Sequence, residues 1–189
     1  MNQRELRTVV ADTSALVSLA VPHTVSEYDT ETAPDPFQYL LTTCHVSVPP
    51  TVVSELRDLT QYRDVHGAAA STLLTAGDHY TVDDPYERPE TPDSRPTFGL
   101  DDGETDGIVL GNARDVDGFL TDEFGGTNFA LVHAALDGPR IVPTPRLLRE
   151  YARTDHLTTD EARTLITTIG SHRSWENSPY VAQLVARLE

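Results

Sequence analysis

Apolar and polar positions alternate along the chain in the way that is typical of an α/β protein. Short apolar runs lie at residues 8–11, 45–48, 118–121 and 140–142, and a weaker one lies at 80–82. Runs of this length and composition predict buried strands of a parallel sheet.

Segments with helical spacing lie between and after these runs. The pattern predicts helices at residues 14–19, 37–41, 50–62, 67–74, 104–114, 128–137, 145–153, 159–169 and 178–188. Thr158 and Glu161 have the spacing of a capping box at one helix start. Alternating strands and helices predict a three-layer α/β/α sandwich with a central parallel sheet, followed by a C-terminal helical extension.

Proline-rich segments interrupt this pattern. Residues 22–36 and 83–102 are predicted to be connections, and the second is the better candidate for a long surface loop. Pro143-Thr144-Pro145 separates the last strand candidate from the tail. We therefore expect one domain over residues 7–143 and a helical extension over 144–189 that packs on it.

The charge balance changes the picture of the surface. All 14 basic residues are arginine, 30 residues are acidic, and the formal net charge is −16. This composition resembles that of haloarchaeal proteins, whose acidic surfaces suit a salty, halophilic interior. If the charge is an adaptation to the solvent, it argues only weakly against a nucleic-acid partner; an acidic protein of a mesophile is the alternative.

Other compositional features favour a cytoplasmic protein. No apolar stretch approaches the ~20 residues that span a bilayer, so we expect no membrane segment. The N-terminal residues show no signal-peptide cleavage site. Cys44 is the only cysteine, which excludes an intrachain disulfide and a cysteine cage for zinc.

Four carboxylates occupy positions where a sheet edge would gather them. Asp12 and Asp122 end two strand candidates, and Glu55 and Glu104 lie in helix candidates. Parallel sheets bind ligands at the carboxyl ends of their strands. Hard cations such as Mg²⁺ or Mn²⁺ prefer oxygen ligands, whereas the seven histidines show no zinc-protease spacing.

Each of these acids also has an ordinary structural explanation. Asp12 would cap the next helix, Glu55 would face solvent, Glu104 would favour a helix dipole, and Asp122 would end a strand. Neighbouring acids leave the assignment open; they are Asp101, Asp102, Asp106 and Glu123.

Four segments resemble the PIN domain, the metal-dependent nuclease fold of VapC-type toxins. They lie at residues 9–16, 48–56, 103–110 and 119–123, and their order and spacing agree with the family over about residues 7–142. In the third segment, Asp106 stands where the family variant has a second glutamate, and Gly107 and Gly111 stand where it has alanines. The connections at residues 21–35 and 83–102 are longer than in minimal toxins.

The resemblance implies a site and a reaction. The acidic quartet would be Asp12, Glu55, Glu104 and Asp122, with Mg²⁺ or Mn²⁺ bound by Asp12, Glu104 and Asp122. Thr13 and Thr121 would orient carboxylates or water, and whether Asp106 or Asp102 shares the role of Glu104 stays open. The expected function is an endoribonuclease that leaves a 5′-phosphate and a 3′-hydroxyl, either as a toxin with an antitoxin partner or as a housekeeping enzyme. A homodimer is also expected.

Two other functions stay open. One is a PIN-like module that binds or helps to process RNA with weak or no catalysis. The other is a phosphotransfer enzyme with Asp12 as nucleophile, although such enzymes want an acid two residues later, where this chain has Ser14. A receiver domain would need a lysine, which the chain lacks.

Three arginines of the tail suggest a further contact. Arg146, Arg149 and Arg153 are spaced by three and four residues, so a helix would align them on one face. They would either pair with nearby acids such as Glu150 and Asp155 or contact the RNA backbone.

Overall fold

The computed structural model describes residues 6–188 and contains a five-stranded, all-parallel sheet. Its strands are β1 (Thr8–Ala11), β2 (His45–Val48), β3 (Thr81–Val82), β4 (Gly118–Leu120) and β5 (Arg140–Val142). Their order across the sheet is β3-β2-β1-β4-β5. In register, Val10 of β1 lies between Ser47 of β2 and Phe119 of β4.

Helices connect the strands and continue beyond them. They are α1 (Thr13–Ala20), α2 (Pro36–Thr43), α3 (Pro50–Leu59), α4 (Val65–Thr75), α5 (Asp102–Ala113), α6 (Gly126–Ala135), α7 (Thr144–Arg153), α8 (Thr159–Arg173) and α9 (Pro179–Val185). Within residues 6–188, none of them is both long and apolar enough to cross a bilayer.

The two faces of the sheet are covered by different helices. Successive side chains of a strand point to opposite faces, so Val9 and Ala11 join one core, and Val10 joins the other. The larger core holds side chains of α1, α2, α3, α4, α7 and α8, and the smaller holds side chains of α5 and α6. The prediction of a three-layer α/β/α sandwich with a parallel sheet is confirmed.

The C-terminal helices pack into the larger core. Leu147 and Leu148 of α7 and Leu165 and Ile169 of α8 are fully buried there, together with Leu16 of α1. Helix α8 begins at the predicted capping box, in which Thr158 Oγ1 accepts from Glu161 N at 3.1 Å and Glu161 Oε2 accepts from Thr158 N at 2.7 Å.

The long connection before α5 follows an irregular path that polar contacts fix in place. It includes a short 3₁₀ turn at Pro85–Glu87. Arg95 of this connection forms a fork with Asp106 of α5: Nε lies 2.7 Å from Oδ1 and Nη2 lies 2.7 Å from Oδ2. Tyr86 and Thr51 donate to the same carboxylate at 2.5 and 2.8 Å. The segment is thereby tied to α5 and α3.

The strand order places a crevice between β1 and β4. From β1 the chain proceeds through β2 to β3 on one side, and β4 and β5 lie on the other side. The connections therefore diverge between β1 and β4, which is the point where open α/β sheets bind ligands. Asp12 follows β1, and its amide donates to Leu120 O of β4 at 2.9 Å.

Candidate active site

An acidic cavity of about 430 Å³ opens at this crevice. Six of the side chains that line it are carboxylates: Asp12, Glu55, Asp58, Asp101, Glu104 and Glu123. They come from four parts of the chain, namely the end of β1, helix α3, the start of α5 and the end of β4. The cavity therefore gathers three of the four predicted acids, while Asp122 lies elsewhere.

Asp12 serves as a helix cap and also faces the cavity. Its Oδ1 accepts from Ala15 N at 3.0 Å and from Ser14 Oγ at 2.8 Å. Its Oδ2 is buried and has no partner with hydrogen-bond geometry among the described residues, although the Thr121 hydroxyl lies close enough to favour the charged carboxylate. The capping role thus uses one oxygen of the carboxylate and leaves the other oxygen available.

Burial shifts the acidity of Asp12. Removal from water disfavours the charged form and raises the pKa of Asp12 from 3.8 to about 7, although Thr121, Ala15 and Ser14 oppose the rise. The nearby charge of Asp122 adds to the shift. A positive ligand in the cavity would restore the carboxylate and occupy its remaining oxygen.

Glu104, like Asp12, combines a buried oxygen that lacks a hydrogen-bond partner with a raised pKa. It lies in the first turn of α5, where its amide donates to Oδ1 of the capping residue Asp101 at 2.7 Å. Its Oε2 is buried and has no hydrogen-bond partner in residues 6–188. Burial, together with the charges of Asp101, Asp12 and Glu123, raises the pKa of Glu104 to about 8.

Glu55 is held between two helices. The Thr13 hydroxyl donates to its Oε2, and the backbone of Gly103 at the start of α5 also favours its charged form. Burial is the larger effect and raises the pKa of Glu55 above its ordinary value. Thr13 therefore contacts one carboxylate of the cavity directly, and the role that the resemblance implies for it stays a prediction.

Asp122 and Glu123 point to different places. Asp122 does not line the cavity. Its carboxylate accepts hydrogen bonds from the Ser18 hydroxyl and from Thr144 N, the latter at 2.8 Å. Burial raises its pKa, and the bonds from Ser18 and Thr144 oppose the rise. Glu123 lines the cavity in its stead. Asp122 thus joins β4 to α1 and α7, and Glu123 supplies the carboxylate at the end of β4.

The remaining predicted residues lie beside the cavity. Thr121 is buried, and its Oγ1 accepts from Glu123 N at 3.1 Å, which fixes the turn after β4. Burial alone would raise the pKa of Asp106, but hydrogen bonds from Arg95, Tyr86 and Thr51 lower it below its ordinary value. Asp106 is thus an anchor for the long connection. Asp102 is exposed and pairs with Arg95 Nη1 at 2.6 Å.

Comparison with protein-family models, curated proteins and solved structures gave no match. The functional interpretation therefore depends on the residues of the cavity.

The carboxylate oxygens of the cavity suit a cation that keeps several water ligands better than one coordinated entirely by protein side chains. No three His, Cys, Asp or Glu side chains in the described chain are grouped as a metal-binding cluster. Mg²⁺, however, usually keeps several waters and takes only one or two carboxylates from a protein, with substrate phosphates completing its shell. The two buried and unsatisfied oxygens, Asp12 Oδ2 and Glu104 Oε2, fit that requirement.

A cation that the sequence pattern did not single out also reaches the cavity. Arg173, the last residue of α8, lines it together with the carboxylates. The three tail arginines, predicted either to pair with nearby acids or to contact RNA, lie on α7 and not on the cavity lining. Arg146 pairs with Glu150 at 3.1 Å and donates to Ile141 O at 3.3 Å, Arg149 is half-buried, and Arg153 is exposed.

Proposed function

We propose that this protein is a metal-dependent endoribonuclease of the PIN type. The observation that carries the proposal is the pair of buried carboxylate oxygens, Asp12 Oδ2 and Glu104 Oε2, that lack hydrogen-bond donors at the same cavity. Leaving such groups unsatisfied is costly. A divalent cation would satisfy both and would favour the ionised form of both carboxylates.

Some of the cavity residues would bind the cation, and others would orient or assist the reacting water. Asp12 and Glu104 would hold Mg²⁺ or Mn²⁺, with Glu123 taking the place that the resemblance gives to Asp122. When bound, the cation would lower the pKa of a water molecule and neutralise charge on the scissile phosphate. Glu55, which accepts a hydrogen bond from Thr13, would accept a proton from an attacking water.

RNA is proposed as substrate because of the family resemblance, and the charge of the cavity adds a condition for its binding. An acidic cavity repels phosphates unless a cation lies between them, so binding of substrate and metal would be coupled. An antitoxin partner and a homodimer remain predictions of the family resemblance.

The alternative is a PIN-like module that binds RNA without cutting it. The observation in its favour is the lack, in residues 6–188, of a tight group of three carboxylates. A cleavage assay distinguishes the two functions directly.

The experiment measures hydrolysis of end-labelled single-stranded RNA in molar KCl with Mn²⁺. We expect cleavage that EDTA stops and that Asp12→Asn abolishes. Asp137→Asn is the matched control, since it removes one exposed carboxylate that precedes β5, whereas the cavity lies at the carboxyl ends of the parallel strands. Cleavage that survives both EDTA and Asp12→Asn would refute the proposal, and RNA binding without any cleavage would favour the alternative.

A further inference from the structure

The C-terminal extension contributes one basic side chain to the acidic cavity. Among the described residues that line the cavity, Arg173 is the only cation. It is the last residue of α8, which ends where Ser174 adopts a left-handed conformation with φ of 58°. Trp175 follows and packs edge-on against Phe124, with 5.7 Å between ring centroids. This contact joins the end of α8 to the turn that carries Glu123.

The guanidinium of Arg173 makes little use of its hydrogen-bond donors within the described residues. Nη2 makes one long contact to Ser14 O at 3.4 Å. Nε is buried and has no hydrogen-bond partner in the described part of the chain. No carboxylate of residues 6–188 lies within salt-bridge distance of it, although its charge lowers the pKa values of Asp122 and Glu123.

Arg95 is a useful comparison for Arg173, because its guanidinium is fully engaged in contacts within the fold. It forms two bonds of 2.7 Å with Asp106 and a third contact with Asp102. Arg173 lies close to acidic residues but pairs with none of them. Arg173 is therefore placed as a donor for a ligand that enters the cavity.

The chemistry of that ligand follows from the donor and its surroundings. A planar guanidinium recognises groups with two acceptor oxygens, which are carboxylates and phosphates. The same cavity is lined by six carboxylates, so an anion bound beside Arg173 would also need a cation between it and those carboxylates. A phosphate group meets this condition when it lies between Arg173 and a cation held by Asp12 and Glu104.

We propose that Arg173 binds a phosphate group of the substrate, so that the C-terminal extension completes the active site. This inference rests on the proposed function, because it assigns the substrate-binding cation of the same cavity. Arg173 is then a residue for substrate affinity, and the metal binds without it.

The test compares wild type with Arg173→Ala, Arg173→Lys and Arg163→Ala. Arg163 is the matched control, because it lies on the same helix and pairs with the exposed Asp160 at 2.8 Å. Two probes are used in molar KCl: single-stranded RNA for steady-state cleavage, and inorganic phosphate with Mg²⁺ for thermal shift. Thermal shift by Mn²⁺ alone reports metal binding separately.

We expect Arg173→Ala to raise KM for RNA by about tenfold to a hundredfold, the range for losing a charge-assisted hydrogen bond. It should abolish the thermal shift by phosphate and keep the shift by Mn²⁺. Arg173→Lys should retain part of both phosphate responses, and Arg163→Ala should match wild type.

The inference is overturned if Arg173→Ala keeps wild-type KM and a wild-type phosphate shift. If wild type does not cleave RNA, the proposed function fails, and the thermal shift by phosphate alone decides the inference. Loss of that thermal shift in Arg173→Ala supports the inference. A thermal shift that is equal in both proteins, or absent from both, overturns it. If Arg173→Ala does not fold, the same comparison is made with Arg173→Lys, where an undiminished phosphate shift and KM contradict the guanidinium role.

Discussion

The carboxylate of Glu55 lies so close to Gly103 that a β-carbon added at position 103 would sit 2.7 Å from its Oε2. Real β-carbons do not approach an oxygen so closely, and the glycine therefore lets α3 bring Glu55 to the first turn of α5. The next residue is Glu104. One glycine thus controls the distance between two carboxylates of the cavity.

Gly103→Ala should reduce RNA cleavage without unfolding the protein. The added methyl group displaces the flexible end of Glu55 from Thr13, while alanine stabilises a helix by about 0.5–1 kcal/mol relative to glycine. We expect cleavage to fall at least about tenfold, the effect of losing one well-placed catalytic group, with a melting temperature close to wild type. Gly111→Ala is the control on the same helix, where the new methyl group meets Leu136 at an ordinary 3.6 Å. Equal activity of both variants would show that the position of Glu55 does not matter.

Gly107→Ala should destabilise the fold, in contrast to Gly111→Ala. A β-carbon at position 107 would lie 2.8 Å from Cε2 of the fully buried Phe119 ring. Overpacking of this kind costs about 1–3 kcal/mol, more than the helix gains from alanine. Urea unfolding in molar KCl should show a lower midpoint for Gly107→Ala and an unchanged or higher one for Gly111→Ala. An unchanged midpoint for Gly107→Ala would mean that Phe119 moves freely.

The strands of the sheet were well predicted from the sequence because neighbouring residues mark where most of them begin and end. The strands at 8–11, 45–48 and 140–142 match the observed bounds, since they are apolar runs bounded by polar residues or proline. The predicted run 118–121 ends one residue earlier, at Leu120. Helix α5 begins two residues before its predicted start, because Asp101 caps it by accepting from Glu104 N.

The site could be predicted only where the position along an element determines the direction of a side chain. Asp12 follows β1 directly, and Glu55 borders the apolar stripe of α3, so both were expected at the sheet edge. Asp122 and Glu123 are adjacent, and their directions depend on Ser18 and Thr144, which are distant in sequence. Arg173 was missed for the same reason, as 159 positions separate it from Ser14.

The stability of the metal-free protein should fall as the pH rises from about 4 to about 8. The pKa of Asp12 is 3.8 ordinarily and about 7 in the fold, and that of Glu104 rises from 4.5 to about 8. Between these values the native state binds more protons than the unfolded chain, so its free energy of unfolding decreases with pH. The stabilisation is fully present below the unfolded pKa values and is lost as the pH passes the folded ones.

Thermal melting in EDTA and molar KCl tests this dependence. Repulsion among the acidic residues of a chain of net charge −16 also destabilises the fold as the pH rises. The slope of melting temperature against pH is therefore compared with that of a double variant that carries Asp12→Asn and Glu104→Gln. We expect a flatter profile for this double variant and the greatest stabilisation of wild type by Mn²⁺ near pH 8. Parallel profiles for the two proteins would show that these carboxyls titrate normally.

Asp122 and Glu123 should be separable by their effects on stability and on activity. Asp122→Ala removes the acceptor of the Ser18 hydroxyl and of Thr144 N, and unsatisfied buried donors cost about 1–3 kcal/mol each. Its urea midpoint should therefore fall. Glu123→Gln keeps the shape of a half-buried side chain, so the midpoint should hold, while cleavage and the thermal shift by Mn²⁺ decrease because a negative ligand of the cavity is gone. The opposite pattern, with stable but inactive Asp122→Ala and fully active Glu123→Gln, would restore Asp122 as the metal ligand and would mean that the turn after β4 rearranges when the cation binds.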